Sequence, residues 1–150
     1  IGGFYKNAHS KTIILKCSYC DKEWKSNWNN LSSGKSCPFC QVTEGEDTIM
    51  RVLNNLSIKY VYQAKFKELR HKNILSIDFY LPDYNICIEY NGKQHYEPVE
   101  FFGGKKNFKE QQKRDKIKEQ YCKENKIPLL IIPYWEFDNI EKILEENLFP

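Results

Sequence analysis

Ile74-Leu-Ser-Ile-Asp-Phe-Tyr-Leu81, then Pro82-Asp-Tyr-Asn85, then Ile86-Cys-Ile-Glu-Tyr-Asn91 is the stretch that decides the fold. Two β-rich runs flank a turn of proline, aspartate and asparagine, which reads as a hairpin. Each run carries one acid where an apolar residue is expected, Asp78 in the first and Glu89 in the second. Because side chains alternate along a strand, Glu89 shares its face with Cys87 and Asn91, while Ile86, Ile88 and Tyr90 point the other way. Both acids therefore sit on sheet faces and not in loops. A buried, unpaired carboxylate costs on the order of several kcal/mol. Two of them on adjacent strands are tolerated either as edge carboxylates matched by Lys or Arg, or as a pair held by a cation. Mg2+ suits the second case, since it needs only one or two protein carboxylates and fills its other positions with water and phosphate oxygens.

Outward from the hairpin, Asn91-Gly-Lys-Gln-His95 ends the second strand and is expected to bring Lys93, Gln94 and His95 close to the carboxylates. A lone histidine is usually structural, but this one stands at a strand end, from which α/β proteins commonly present site residues. Upstream, Ile49, Val52, Leu53 and Leu56 repeat at helical spacing. Glu46 opens that helix, either complementing its dipole or serving as a further site acid. A strand over 59–66 follows the helix, with Tyr60 and Tyr62 alternating. Downstream come a long polar helix over about 105–125, the apolar strand Leu129-Leu-Ile-Ile132 and a short acidic helix over 139–148. Asp115 lies on the apolar stripe of the long helix, where an acid asks for a partner. The order α-β-β-β-α-β-α implies a mixed sheet flanked by helices, an α/β layer fold.

At 150 residues, 41% hydrophobic and with 10 Tyr, 9 Phe and 3 Trp, the chain has enough bulky apolar surface for a core, which excludes long disorder or a fibre. No apolar run approaches the roughly 20 residues of a spanning helix, and no signal-peptide pattern opens the chain. The expectation is an intracellular protein, of a bacterial cytoplasm or a virus-infected cell, with no membrane partner. With Ile1 first and Met50 the sole methionine, further residues are expected upstream.

The formal charge of +3 is uneven. Residues 1–42 carry six lysines against Asp21 and Glu23, and 105–126 is again strongly basic. Such asymmetry fits a solvated helix face, and it also fits a polyanion partner. The same first segment holds Cys17-x2-Cys20 and Cys37-x2-Cys40. Two such knuckles can close the four-sulfur cage that Zn2+ favours; two disulfides or free thiols are the alternatives. Strands over 12–16 and 22–26 and a turn over 29–34 frame a ribbon or treble-clef module, too small to hold itself together without metal. Trp24 and Trp28 are expected to pack over the cage, and Cys87 and Cys122 to be small buried hydrophobes. The polar joint Thr43-Glu-Gly-Glu46 separates this module, 1–42, from the α/β domain, 43–150.

Ile77-Asp-Phe-Tyr-Leu-Pro82, Ile86-Cys-Ile-Glu-Tyr-Asn-Gly-Lys-Gln-His-Tyr96, Arg114-Asp-Lys-Ile-Lys118 and Ile131-Ile-Pro-Tyr-Trp135 together resemble the PD-(D/E)xK nuclease superfamily. More narrowly, they resemble its Vsr-like branch of very-short-patch repair and phage homing-type endonucleases. The knuckle segment is similar to the zinc ribbons that precede such domains in phage and large-virus proteins. The resemblance implies a restriction-endonuclease-like fold in which Asp78 is the first metal-binding acid and Glu89 the acid of the (D/E)xK element. That element has Asn91 in place of its lysine, so His95, with Gln94 or Lys93 in support, is expected to take over the work on water. Glu46 matches the acid of the opening helix, and Asp115 and Lys118 match an Arg-Asp-x-x-Lys helix pattern.

The resemblance further implies Mg2+-dependent hydrolysis of a phosphodiester, with Mn2+ as a substitute metal. The ion is expected on Asp78, Glu89 and the backbone carbonyl of Tyr90. Zn2+ is expected on Cys17, Cys20, Cys37 and Cys40. Lys16, Lys22, Lys25 and Lys35 of the ribbon, with Lys105 and Lys106, would contact phosphates of double-stranded DNA, positioning the protein without reading sequence. Double-strand cutting would imply a homodimer. The competing expectation is a catalytically silent, zinc-containing nucleic-acid-binding protein, which the loss of lysine at Asn91 makes conceivable.

Overall fold

The computed structural model describes residues 12–17, 22–32, 37–38, 42–100 and 104–149. The chain divides into two compact units, Ile1–Glu44 and Gly45–Pro150, two residues beyond the expected boundary.

In the first unit, β1 (Ile13–Lys16) and β2 (Glu23–Ser26) form an antiparallel hairpin with Ile13 opposite Ser26 and Lys16 opposite Glu23. The Cys17 amide extends it by donating to the Lys22 carbonyl at 3.0 Å. The turn expected over 29–34 is replaced in its first part by a helix, α1 (Trp28–Ser32). Asn27 Oδ1 accepts the Asn30 amide at 2.9 Å. That is the bond by which asparagine caps a helix, so residues that read as turn formers start one instead. Trp28 is 56% exposed and Trp24 is partly buried, and the knuckles over which both are expected to pack lie largely outside the described residues. Cys17 and Cys37 are both buried, while Cys20, Cys40 and Lys35 lie outside the described residues.

The second unit is built on a four-stranded mixed sheet in the order β3 (Val61–Arg70), β4 (Ile74–Leu81), β5 (Ile86–Asn91), β6 (Leu129–Pro133). The first two pairings are antiparallel, and β5 runs parallel to β6. The parallel pair requires a crossover, supplied by α3 (Gly104–Glu124); α2 (Glu44–Asn55) precedes the sheet and α4 (Ile140–Leu148) follows it. β3 continues four residues past the expected end at Phe66. It is an edge strand, and its exposed Lys65, Lys67 and Arg70 discourage pairing with another chain while buried Leu69 anchors the extension.

Ile49, Met50 and Leu53 of α2, Phe79 and Leu81 of β4, Ile88 of β5, Ile132 of β6 and Ile140 and Leu144 of α4 are buried. On the face where α3 packs, Leu69, Ile77, Cys87 and Cys122 form one cluster, so both cysteines are the buried small side chains expected of them. The hydrogen bond that the Cys87 thiol donates to Cys122, together with burial, pushes the Cys87 thiol far up. Among the described residues no helix is long and apolar enough to cross a membrane.

Candidate metal-binding and hydrolytic site

Backbone pairing of β4 with β5 runs from Leu81 opposite Ile86 to Phe79 opposite Ile88. Beyond that point side chains take over. The Asp78 amide donates to Glu89 Oε1 at 3.3 Å, and the Tyr90 amide donates to Asp78 Oδ2 at 2.9 Å. Each acid thus grips the other's strand, and the two are fixed side by side at the end of the ladder.

Two further elements reach this pair. From α3, Lys118 Nζ donates to both oxygens of Glu89, at 2.8 and 2.9 Å. Asp115, one helical turn earlier, lines the same narrow crevice as Glu89, Asn91, Lys118 and Ile131. From the first turn of α2, buried Glu46 accepts the Tyr62 hydroxyl and the Gln63 amide, both at 3.2 Å. The same Gln63 nitrogen donates to Asp78 Oδ1 at 3.2 Å, so α2 does reach the sheet acids, and Glu46 is more than a dipole partner.

Gln63 is held in place on two counts. Ser76 Oγ donates to its Oε1 at 2.6 Å, which leaves the NH2 end facing the acids. Its φ of 50° lies in the left-handed region, in the middle of a strand. For a non-glycine residue that conformation costs about 1–3 kcal/mol and persists only where surrounding bonds fix it. The approach of α2 depends on Gly45, because a Cβ there would overlap the Tyr90 ring. Gly45→Ala should therefore displace α2 or Tyr90 and cost about 1–3 kcal/mol, measured as a lower urea midpoint.

The electrostatics follow from burial. Desolvation, with the Asp78 charge adding to it, pushes the Glu89 carboxyl up to about 7, against the pull of Lys118. Burial also raises Asp78, the bond from the Tyr90 amide opposes that, and the Glu46 charge adds to it. The Tyr62 hydroxyl is pushed up by burial and then by Glu46. Several acids thus compete to ionise beside the Lys118 ammonium, and a divalent cation would relieve them all. Among the described residues no three His, Cys, Asp or Glu side chains converge on one point. Two adjacent carboxylates with hard oxygens nevertheless match what Mg2+ requires of a protein.

His95 is paired with Asp115, its Nδ1 lying 2.9 Å from Asp115 Oδ2. Since a carboxylate only accepts, the hydrogen of this bond lies on Nδ1. Gln111 donates to Asp115 Oδ1 at 2.8 Å, and Arg114 donates to Gln111 Oε1 at 2.7 Å, which orients the amide. The acid on the apolar stripe thus finds its partners. Lys93 and Gln94 are not brought to the carboxylates: Lys93 is exposed and pairs with Glu97 at 3.0 Å, and Gln94 lines a separate cleft with Asn107, Gln111 and Arg114. Both sit on a 3-10 turn, Lys93–His95, in which His95 reaches Asp115 of α3 and Gln94 faces an earlier part of the same helix. Lys105 and Lys106 are exposed on the first turn of α3, as are Lys16, Lys22 and Lys25 in the first unit.

No family model matches the chain, and no solved structure matches it. It is 41% identical over 61 residues to uncharacterized protein 307L of Invertebrate iridescent virus 6, covering 40% of this chain and 31% of the relative. It is 36% identical over 80 residues to uncharacterized protein 094L of Frog virus 3 (isolate Goorha), covering 47% and 52%. It is 43% identical over 63 residues to uncharacterized protein 033L of Invertebrate iridescent virus 3, covering 41% and 32%. The matches therefore span about a third to a half of the length of these viral relatives.

Proposed function

We propose that the Gly45–Pro150 unit is a metal-dependent endodeoxyribonuclease of the PD-(D/E)xK type, with a restriction-endonuclease-like fold. The observation that carries this reading is the meeting of Asp78, Glu89 and Lys118 at the end of the β4–β5 ladder. A (D/E)xK element needs two acids and one lysine around a point; Asn91 cannot be that lysine, and the ammonium of Lys118 takes its place from the crossover helix.

Asp78 and Glu89, with the Tyr90 carbonyl, would hold Mg2+ or Mn2+. When bound, such an ion lowers the pKa of a water and accepts a nonbridging phosphate oxygen. Lys118 would stabilise the charge that builds on phosphorus. His95, oriented by Asp115, presents Nε2 to take up a proton. The Cys-rich unit is proposed to be a zinc ribbon on Cys17, Cys20, Cys37 and Cys40 that adds phosphate contacts on double-stranded DNA. The viral sources of the relatives favour the virus-infected cell over a bacterial host as its setting.

The test is supercoiled plasmid incubated with the protein and Mg2+ or EDTA. Nicking or linearisation that EDTA abolishes supports the nuclease, and the product form separates a nicking enzyme from a double-strand cutter acting as a dimer. DNA binding that weakens with salt, without cleavage in either metal, would leave the silent binding protein as the reading.

The raised carboxyls give a second check. In the metal-free fold Glu89 keeps its proton up to about 7, whereas its ordinary value is 4.5. The folded state therefore binds more protons than the unfolded one across that window, and metal-free stability falls as pH rises through it, by on the order of 3 kcal/mol. Mg2+ binds the ionised pair, so the rise in Tm that it produces should be small near about pH 5 and largest near about pH 8. The same rise should be absent at both values in Asp78→Ala.

A further inference from the structure

Gln63 stands out because nothing about a polar residue in an edge strand requires the strained backbone that it adopts. Its NH2 group lies between two acids from different elements, 3.2 Å from Glu46 Oε1 and 3.2 Å from Asp78 Oδ1. The opposite orientation would set Oε1 against two carboxylates, and the Ser76 hydroxyl holds Oε1 away from them at 2.6 Å. Gln63 has a φ of 50° and lies at the position facing Asp78, between the pairs Tyr62 with Phe79 and Ala64 with Ile77. An amide NH2 carries partial positive charge and donates two hydrogen bonds. Lodged between oxygens of Glu46 and Asp78, it does electrostatically, and more weakly, what a divalent ion would do there.

We propose that the Gln63 carboxamide is a placeholder for a divalent cation between Glu46 and Asp78, so that metal binding at this end of the site displaces it. Gln63 is thus a positioning residue. It keeps the two acids aligned in the metal-free protein and competes with the cation for their oxygens, which makes metal binding weaker than the acids alone would give. This rests on the metal-dependent reading above and extends it to a residue outside the acid and lysine set.

The experiment measures Mn2+ binding to the whole chain by calorimetry and by the loss of the free-ion paramagnetic resonance signal, for the wild type, Gln63→Met, Glu46→Gln and the double variant. Methionine keeps the volume of the side chain and removes both hydrogen bonds. Circular dichroism and a thermal melt in each case establish that the variant is folded. The expected result is that Gln63→Met binds Mn2+ about ten-fold tighter, since the ion no longer has to break two charge-assisted bonds. That gain should vanish in the double variant, because it needs Glu46. Weaker or unchanged binding in folded Gln63→Met overturns the placeholder role and leaves the nuclease reading standing. Absence of Mn2+ binding by the wild type overturns both.

Discussion

Asp78→Ala is expected to lower Mg2+-dependent cleavage by about three orders of magnitude or more, equivalent to about 4 kcal/mol of transition-state stabilisation. Asp78 accepts from the Tyr90 amide and from Gln63 while lying against Glu89, so its removal takes away one of the two carboxylates proposed to hold the metal and frees the end of the β4–β5 ladder. Glu89→Ala should cost as much. The two should not add, because either acid alone leaves too few protein oxygens to hold the ion, and the double variant should be no slower than the worse single one. Single-turnover cleavage at saturating Mg2+, with circular dichroism to verify the fold, decides the matter. A folded Asp78→Ala protein that still cleaves at near wild-type rate would remove the acid pair from the chemistry.

Lys118→Met separates two roles that the structure alone superposes. Lys118 bonds both oxygens of Glu89, which is 5% exposed. Were it only a counter-ion standing where metal will sit, the variant would bind Mg2+ at least as well and cleave as fast once saturated. As the lysine of the site it should instead show a cleavage rate lower by about 100-fold to 1,000-fold at saturating Mg2+, with metal affinity equal or tighter. Binding and turnover moving in opposite directions is the signature. Stability should also respond, since breaking a buried ion pair typically costs about 3–5 kcal/mol. Glu89 already holds its proton up to about 7 with Lys118 present, so without Lys118 it will stay protonated higher still. The loss should therefore be larger near about pH 8 than near about pH 6 in metal-free denaturant melts.

The hairpin of β4 and β5, the helix opening at Glu46 and the crossover to β6 are all legible in the sequence because apolar periodicity and turn residues are local signals. The pairing of Asp78 with Glu89 is legible too, since an acid in an apolar strand has few tolerable explanations. Gln63 is not. A polar side chain on an edge strand looks ordinary, and neither its positive φ nor its bond to Glu46 leaves a trace in residue type. Lys118 lies between these cases. Its spacing from Asp115 marks a helix face, but the meeting with Glu89 spans 29 residues and depends on how the crossover helix docks. Lys93 and Gln94 mislead because closeness in sequence to a strand end is not closeness in space, and the 3-10 turn redirects both. The asparagines before the second knuckle mislead in a similar way, since the same side chain that favours turns also caps α1. Of the four cysteines expected to hold zinc, Cys20 and Cys40 lie outside the described residues, and the cage rests on their spacing.

Placing Lys118 on the crossover helix has a consequence for when the proposed site is complete. As the chain leaves the ribosome, both acids emerge together on one hairpin, yet Lys118 comes a stretch later and reaches Glu89 only after α3 has folded back across the sheet. After α3 the chain enters β6, which pairs alongside β5. A nascent or truncated chain ending before α3 would carry the hairpin acids without the ammonium beside them. Under the proposed function, competence for hydrolysis would have to wait for α3 to dock, and proteolytic loss of the C-terminal third would remove Lys118 while sparing the hairpin that carries both acids.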